Sequence, residues 1–319
     1  MSAKTKSRQF PPTDHYQEVT NQILAAMEQK QLPWRKTWGE GGGHCSPRNA
    51  VTGKRYRGIN IVLLAMAGLA GTGIDPRWCS YKQAASRGWQ VRKGEHGSRI
   101  FFFKKIEIAD RADPEHDSKH IPVIRASTVF HASQIDGIPA FEPLPVQSKL
   151  QKPEAVDIIL TRSRIDLRAG GNRAFYHPEL DYIQLPHLDQ FESAEAWGAT
   201  ALHELLHAAG AKHRLNRDLT GRFGSSSYAM EELVAELGSC FVGSEMGLPI
   251  DIPNHASYLS GWAEVLRNDK RAIFKAASEA QRAAEYCLAF HPDYLTSEQA
   301  DDDEGHDPTG SEAENAIAA

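Results

Sequence analysis

The chain has 319 residues, of which 41% are hydrophobic and 24% are charged, as in ordinary soluble globular proteins. Its length predicts two domains. No apolar run reaches the roughly 20 residues of a membrane-spanning helix, which argues against an integral membrane protein. The net charge of −5 conceals an asymmetry: residues 1–105 hold 18 Lys and Arg against 6 Asp and Glu, a net +12, whereas the remainder carries −17. A basic first part favours a polyanionic partner.

The N-terminus and the cysteines both predict a cytoplasmic protein. Residues 1–12 are polar and basic, without the apolar stretch of a secretory signal. The cysteines have no close pairs, which is typical of free thiols in a reducing compartment and leaves no Cys-type zinc site. They are Cys45, Cys79, Cys240 and Cys287.

In chain order, periodicity and turn residues predict a mixed first part and a mainly helical second part. In the first part we expect helices at 15–29, 60–67 and 80–86, strands at 99–104 and 126–131, and an exposed loop at 108–120. In the second part we expect helices at 154–163, 194–209, 230–242, 256–268 and 272–289, with paired strands at 174–176 and 182–185.

The pentapeptide His203-Glu204-Leu205-Leu206-His207 lies on one of these helices. Residues four apart share a helix face, so both imidazoles can bind one metal ion while Glu204 lies beside them as a general base. Ser193 is a suitable N-cap for this helix. The motif therefore predicts a catalytic zinc site, with another divalent metal as the alternative.

A catalytic zinc ion takes a third protein ligand, for which the sequence offers three candidates. His213 completes an H-E-x-x-H-x-x-G-x-x-H spacing, in which Gly210 would turn the chain toward the metal. Glu232 is favoured instead, with Glu236 on the same face as an outer partner of a ligand histidine, and Glu231 is a further candidate.

This site predicts a zinc-dependent metallopeptidase, in which Glu204 takes a proton from the attacking water. Tyr228 and His255 are candidates for stabilising the oxyanion. The edge of the strand at 182–185 is a candidate surface for an extended peptide.

The basic N-terminal part interleaves cations with aromatic residues. Lys and Arg can follow phosphates while aromatic rings stack on unpaired bases, so this mixture predicts binding of single-stranded DNA. The candidate DNA-binding residues are Trp34, Arg35, Lys36, Trp38, Arg55, Tyr56, Arg57, Trp78, Tyr81, Lys82, Trp89, Arg92 and Lys93.

These motifs resemble the ArdC and TraC-type family of plasmid antirestriction proteins. The resemblance runs through blocks at 16–38, 56–60, 78–94, 130–137, 175–186, 203–219 and 228–237. It implies a single-stranded-DNA-binding domain joined to a zinc-metallopeptidase-like domain that together protect DNA entering by conjugation. It also implies site roles for His203, Glu204 and His207, and a third ligand from the block that contains Glu232.

The expected architecture is therefore α+β with two domains. Residues 1–140 form the DNA-binding domain, 141–153 a Pro-rich linker, 154–296 a mainly helical zincin-like domain with a small sheet, and 297–319 a disordered acidic tail. The expected partners are single-stranded DNA and a host protein as peptidase substrate. The alternative is a DNA-binding module whose metal site is structural or vestigial, without proteolysis.

Overall fold

The computed structural model of the chain describes residues 14–29, 46–67, 75–109, 118–142, 151–222, 224–248 and 255–294. Several predictions lie outside these residues: those for Trp34, Arg35, Lys36 and Trp38, for residues 143–150 of the linker, and for the tail at 297–319.

Helices dominate the second half of the described residues, as predicted. The helices are α1 (His15–Glu28), α2 (Ile59–Met66), α3 (Tyr81–Ser86), α4 (Gln151–Ser163), α5 (Ala194–Ala209), α6 (Ser226–Met246), α7 (His255–Asn268) and α8 (Ala272–Leu288). Their starts follow from capping chemistry. Asp14 accepts a hydrogen bond from the backbone of Gln17, and Ser80 forms a capping box with Gln83. Within the described residues, no helix combines the length and the apolar character that crossing a bilayer requires.

Two groups of strands lie in the first half and one in the second. The strands are β1 (Arg48–Asn49), β2 (Arg77–Cys79), β3 (Gln90–Val91), β4 (Ser98–Ala109), β5 (Ser118–His131), β6 (Ile135–Asp136), β7 (Asp166–Ala169), β8 (Phe175–His177) and β9 (Tyr182–Leu185). The first sheet has the order β1-β2-β5-β4, β3 pairs with β6, and the third sheet has the order β7-β9-β8. The predicted α+β class is confirmed.

The long β4–β5 pair corrects both ends of the predicted loop at 108–120, whose residues 110–117 lie outside the described part of the chain. β4 continues to Ala109 and β5 begins at Ser118, with Ile108 opposite Lys119 and Ala109 opposite Ser118 in the antiparallel register. The charges of this segment favoured a loop, but Ile106 and Ile108 alternate with Lys105 and Glu107. Such period-two alternation is typical of a strand with one solvated face.

Helix α1 packs against the C-terminal helices. The Tyr16 ring lies edge-on to Phe274 of α8 at 4.9 Å between centroids, and the Thr20 hydroxyl donates to the carbonyl of Lys270 at 2.9 Å. Val19 and Ile23 are buried in the same hydrophobic cluster as Leu202, Leu233 and many other residues of α5 to α8. One core therefore joins the N-terminal helix to the helices of the predicted metal domain.

A small residue sets the packing of α5 against α6. A Cβ atom added at Gly238 would lie only 3.0 Å from a methyl carbon of Leu206. Glycine at this position permits close approach of the two helices. The approach brings the acidic start of α6 beside the histidines of α5.

Candidate metal centre

Helix α5 presents His203, Glu204 and His207 at the end of a buried apolar stripe. The Ser193 hydroxyl caps the helix by accepting a hydrogen bond from the backbone of Ala196 at 3.1 Å. Leu202, Leu205 and Leu206 are fully buried, while His203 and Glu204 retain 8% exposure. Burial of the leucines fixes the rotation of α5 and thereby the face on which the histidines lie.

Three side chains converge in a geometry that fits a metal ion. The Nε2 atoms of His203 and His207 lie 3.2 Å apart. The two carboxylate oxygens of Glu232 each lie 3.8 Å from one of these nitrogens. Metal–ligand bonds of 2.0–2.2 Å at a tetrahedral angle separate ligand atoms by about 3.3 Å. Among the described residues, His203, His207 and Glu232 are the cluster suited to hold an ion.

Electrostatics at this cluster favour a bound cation. Burial lowers the pKa of His207, but its hydrogen bond to Glu231 and the charges of Glu232, Glu231 and Glu204 outweigh burial and raise that pKa to about 9. Burial raises the pKa of Glu232, but His203 and His207 lower it to about 2. Without a metal the cluster therefore holds a proton on His207, which a divalent cation would replace.

Each ligand histidine is held by a contact on its far side. The Nδ1 atom of His207 lies 3.1 Å from an oxygen of Glu231, and that of His203 lies 3.4 Å from the Ser239 hydroxyl. Arg217 binds the Glu231 carboxylate from the other side at 2.6 and 3.0 Å. These contacts direct both Nε2 atoms toward Glu232.

The outer contacts correct one prediction. Glu231 faces Nδ1 of His207, on the opposite side of the ring from Nε2, and is therefore suited to position the ring rather than to act as the third ligand. Ser239 lies beside Nδ1 of His203, and the outer role predicted for Glu236 stays a prediction. Sequence reasoning missed Arg217 and Ser239, because no short motif links either residue to the histidines.

His213 lies away from the cluster, although its spacing fits a longer metal motif. Its side chain is 62% exposed and its Nε2 atom lies 3.3 Å from Asp181. Gly210 has φ −72°, a backbone conformation that any residue could adopt. A Cβ there would instead lie 2.8 Å from the Arg217 guanidinium. Glycine at 210 makes room for Arg217 and does not direct His213 to the metal.

Two tyrosines extend from Glu232 along one side of the site. The Tyr228 hydroxyl hydrogen-bonds to Glu232 and lies 3.4 Å from the hydroxyl of Tyr258. Burial, the contact with Tyr258 and that with Glu232 raise the pKa of Tyr228, so its hydroxyl keeps its proton. The sequence identified Tyr228 but not Tyr258, and the side chain of His255 is outside the described part of the chain.

The strand proposed for peptide binding has both of its edges occupied. β9 is the central strand of its sheet and pairs with β7 on one side and β8 on the other. The prediction that β9 offers a free edge is therefore wrong. β8 is an edge strand of this sheet and contacts the metal helix α5 directly.

The predicted DNA-binding residues divide into buried and exposed groups. Tyr56 and Trp78 are 8% and 4% exposed, and the Trp78 ring lies edge-on to His131. Such burial argues against base stacking by these two rings, although Tyr56 also lines a cavity together with Arg55 and Arg57. Trp89 is half-buried, whereas Tyr81 is 43% exposed.

The predicted cations among the described residues lie at the surface, and several carry ion pairs. Arg55 contacts Glu245 of α6 at 3.0 Å, and Arg57 pairs with Glu285 of α8. Arg92 contacts both Glu95 and Asp136. Lys82 and Lys93 are exposed. Arg55 and Arg57 therefore also tie the first half of the chain to the second.

Comparison with known proteins finds a matching family for each half of the chain. Residues 13–130 match the N-terminal domain of the anti-restriction factor ArdC, and residues 154–279 match a zincin-like metallopeptidase family. The protein y4eC of Sinorhizobium fredii is 40% identical over 295 residues, covering 90% of this chain and 95% of that protein. Two Escherichia coli proteins named DNA primase TraC are 38% and 40% identical, but the chain spans only 20% and 28% of their lengths.

Two crystal structures of the antirestriction protein ArdC from plasmid R388 share the fold. The metal-free structure has a TM-score of 0.74 and 37% identity, covering 87% of this chain and 98% of that chain. The Mn(II)-bound structure has a TM-score of 0.73 and 36% identity, covering 90% and 100%. The predicted family and its two-domain architecture are thus confirmed, and the chain belongs to the ArdC-type antirestriction family, with an ArdC-type N-terminal domain and a zincin-like C-terminal domain.

Proposed function

We propose that this protein binds single-stranded DNA through its N-terminal domain during conjugative entry and hydrolyses peptide bonds at the His203, His207 and Glu232 cluster. The main support for peptide hydrolysis is the position of Glu204. It follows a metal-ligand candidate directly in the chain, and its charge acts on both His207 and Tyr258. A general base must lie close to the water it deprotonates.

A divalent metal held by His203, His207 and Glu232 would polarise a peptide carbonyl and acidify a water molecule. Glu204 takes the proton of the attacking water and delivers it to the departing amine. Tyr258, whose hydroxyl lies 3.4 Å from that of Tyr228, would donate a hydrogen bond to the developing oxyanion. Zn²⁺ is the proposed ion because two imidazoles and a carboxylate suit it, with Mn²⁺ as the alternative.

Support for DNA binding comes from the net +12 of residues 1–105 and from the surface position of most of the predicted cations. An exposed aromatic ring at Tyr81 adds a face on which an unpaired base can stack. A duplex offers no such base faces. We therefore expect single strands to bind more tightly than duplexes of the same length, in a salt-dependent manner.

Glu204→Gln tests the peptidase activity. The substitution keeps the size of the side chain and leaves the metal ligands in place. We expect metal content by elemental analysis and single-strand affinity to stay unchanged, while cleavage of a mixed peptide library falls by at least about a hundredfold. If the wild-type protein cleaves no peptide with Zn²⁺ or Mn²⁺ bound, the metal site is structural or vestigial.

A further inference from the structure

A cavity lies between the two halves of the chain, away from the candidate metal ligands. Its volume is about 350 Å³, and its walls come from the segment before α2, from β4 and from α8. This volume falls within the range of small-molecule sites. None of His203, His207 and Glu232 lines it.

The lining of this cavity is cationic. Its charged side chains are Lys54, Arg55, Arg57 and Arg282, and no Asp or Glu is among the described residues that form its walls. Arg282 comes from α8 in the metallopeptidase half and is 53% exposed, with Glu279 at 3.2 Å on its own helix. Arg55, Arg57 and Arg282 each pair with a glutamate outside the lining, but the cavity wall itself presents only cationic charges, which attract an anionic ligand.

Contacts across the two halves hold the wall in place. The Gln281 side chain accepts a hydrogen bond from the backbone of Gly58 at 3.0 Å and donates to Glu285 at 2.9 Å. Glu285 in turn pairs with Arg57. Gly58 has φ +54°, a left-handed conformation that favours glycine. The cavity is therefore a built feature of the interface between the N-terminal part and α8.

An exposed aromatic ring stands at the same wall. Phe103 of β4 is 47% exposed, although phenylalanine is usually buried. It lies edge-on to Phe274 of α8, with centroids 6.1 Å apart and planes at 85°. Ser127 and Ser278 add hydroxyl groups to the lining. A ring held in place with an open face, beside cations and hydroxyl groups, suits a flat polar ligand that carries negative charge.

We infer that this cavity takes one unpaired nucleotide of a single strand, with the base against Phe103 and a phosphate at Arg282. The inference rests on the proposed single-strand binding and adds that the metallopeptidase half, through α8, supplies part of the DNA site. An acidic peptide would satisfy the cations but would leave the Phe103 ring without a flat partner. A base inside a duplex is stacked between its neighbours and has no free face to lie against Phe103.

Arg282→Glu tests the site against Lys275→Glu in the full-length protein. Both substitutions reverse one charge at an exposed position of α8, but Lys275 does not line the cavity. We expect Arg282→Glu to weaken binding of a fluorescent oligothymidylate about tenfold and to flatten its dependence on log salt by about 0.7. Lys275→Glu should change the affinity by about twofold at most.

Phe103→Ala and Phe103→Trp form the second pair. We expect Phe103→Ala to weaken oligothymidylate binding about tenfold and Phe103→Trp, which retains a stacking face, to preserve it. Unchanged metal content in all four variants shows that the fold is intact.

Two results would overturn the nucleotide site but leave the proposed single-strand binding intact. One is an equal loss of oligothymidylate affinity in Arg282→Glu and Lys275→Glu. The other is displacement of the oligothymidylate by poly-glutamate at matched charge. If the wild-type protein binds no single strand, the proposed DNA-binding function fails together with the site.

Discussion

Glu231 accepts a hydrogen bond from Nδ1 of His207 at 3.1 Å, and Arg217 grips the same carboxylate at 2.6 and 3.0 Å. The Arg217 guanidinium also donates to the carbonyl of Leu206, one residue before His207. The imidazole is thus fixed through its side chain and through the adjacent backbone. The ring presents Nε2 to the metal cluster without having to reorganise when an ion binds.

Glu231→Gln should weaken metal binding. The amide keeps the shape of the side chain but removes the charge that holds His207 and Arg217, and loss of such outer partners typically lowers metal affinity 10–100-fold. Competition with a fluorescent chelator measures the affinity. Glu264→Gln, at an exposed position of α7, is the control and should bind as the wild type does. Equal affinities of the two variants would remove the positioning role of Glu231.

Metal affinity should rise with pH up to about pH 9. The pKa of His207 is raised from 6.5 to about 9, so its imidazolium stabilises the metal-free fold fully below pH 6.5 and this contribution is lost as pH rises through 9. The lowered pKa of Glu232, about 2, gives a contribution present above pH 4.5 and lost as pH falls through 2.

Binding of a metal to His207 must therefore release one proton, so affinity gains about tenfold per pH unit below the pKa of that residue. Chelator competition across this range measures the slope. Glu231→Gln removes a group that raises the pKa, so the slope should level off at lower pH in that variant. A wild-type affinity that is constant from neutral pH to about pH 9 would contradict the raised pKa.

The sequence predicts the pairing of the two histidines on α5 well because their spacing is local. His203 and His207 lie one helical turn apart, so a correct helix suffices to bring their rings together. To predict Glu232 as the third ligand, one must also know that α6 packs on α5 with its acidic start beside these histidines. The small residues Gly238 and Ser239 indicate this packing only indirectly. His213 shows the limit of motif spacing, because the turn after α5 directs it toward Asp181.

Burial and pairing across the fold account for the other differences. Cations and aromatic residues do alternate in the first half, but this pattern does not predict which aromatic rings are buried. Trp78 and Tyr56 belong to a small buried cluster that also contains Val129, a partner far away in the sequence. Phe103 is not among the predicted DNA-binding residues, because the side chains of a Phe-rich strand are normally buried in the core. Its exposure depends on where β4 meets α8.

The two candidates for the third ligand predict opposite results. Glu232→Ala should reduce metal affinity by at least about a hundredfold, because it leaves two imidazoles with no protein oxygen. His213→Ala should leave both affinity and stoichiometry unchanged, since its side chain pairs with Asp181 at the surface. Elemental analysis after dialysis against limiting chelator measures both. Loss of metal in His213→Ala with retention in Glu232→Ala would reverse the assignment.

Gly210→Ala tests whether the Arg217 guanidinium needs the space beside Gly210 that a methyl group would fill. Backbone strain is not expected, because φ at this position is −72°. The new methyl group would meet the guanidinium at 2.8 Å, and Arg217 is almost fully buried and held by Glu231 and Leu206. Displacement of Arg217 should cost about 1–3 kcal/mol of stability and loosen Glu231, with a loss of about tenfold in metal affinity.

Gly247→Ala is the matched control for this substitution. Gly247 ends α6 in the left-handed conformation at φ +63°, so alanine there should destabilise the protein by about 1 kcal/mol without touching Arg217. Thermal unfolding measures stability and chelator competition measures affinity. Only Gly210→Ala should lose metal affinity. If it binds metal as tightly as Gly247→Ala, the route from Gly210 through Arg217 and Glu231 to His207 does not set the affinity of the site.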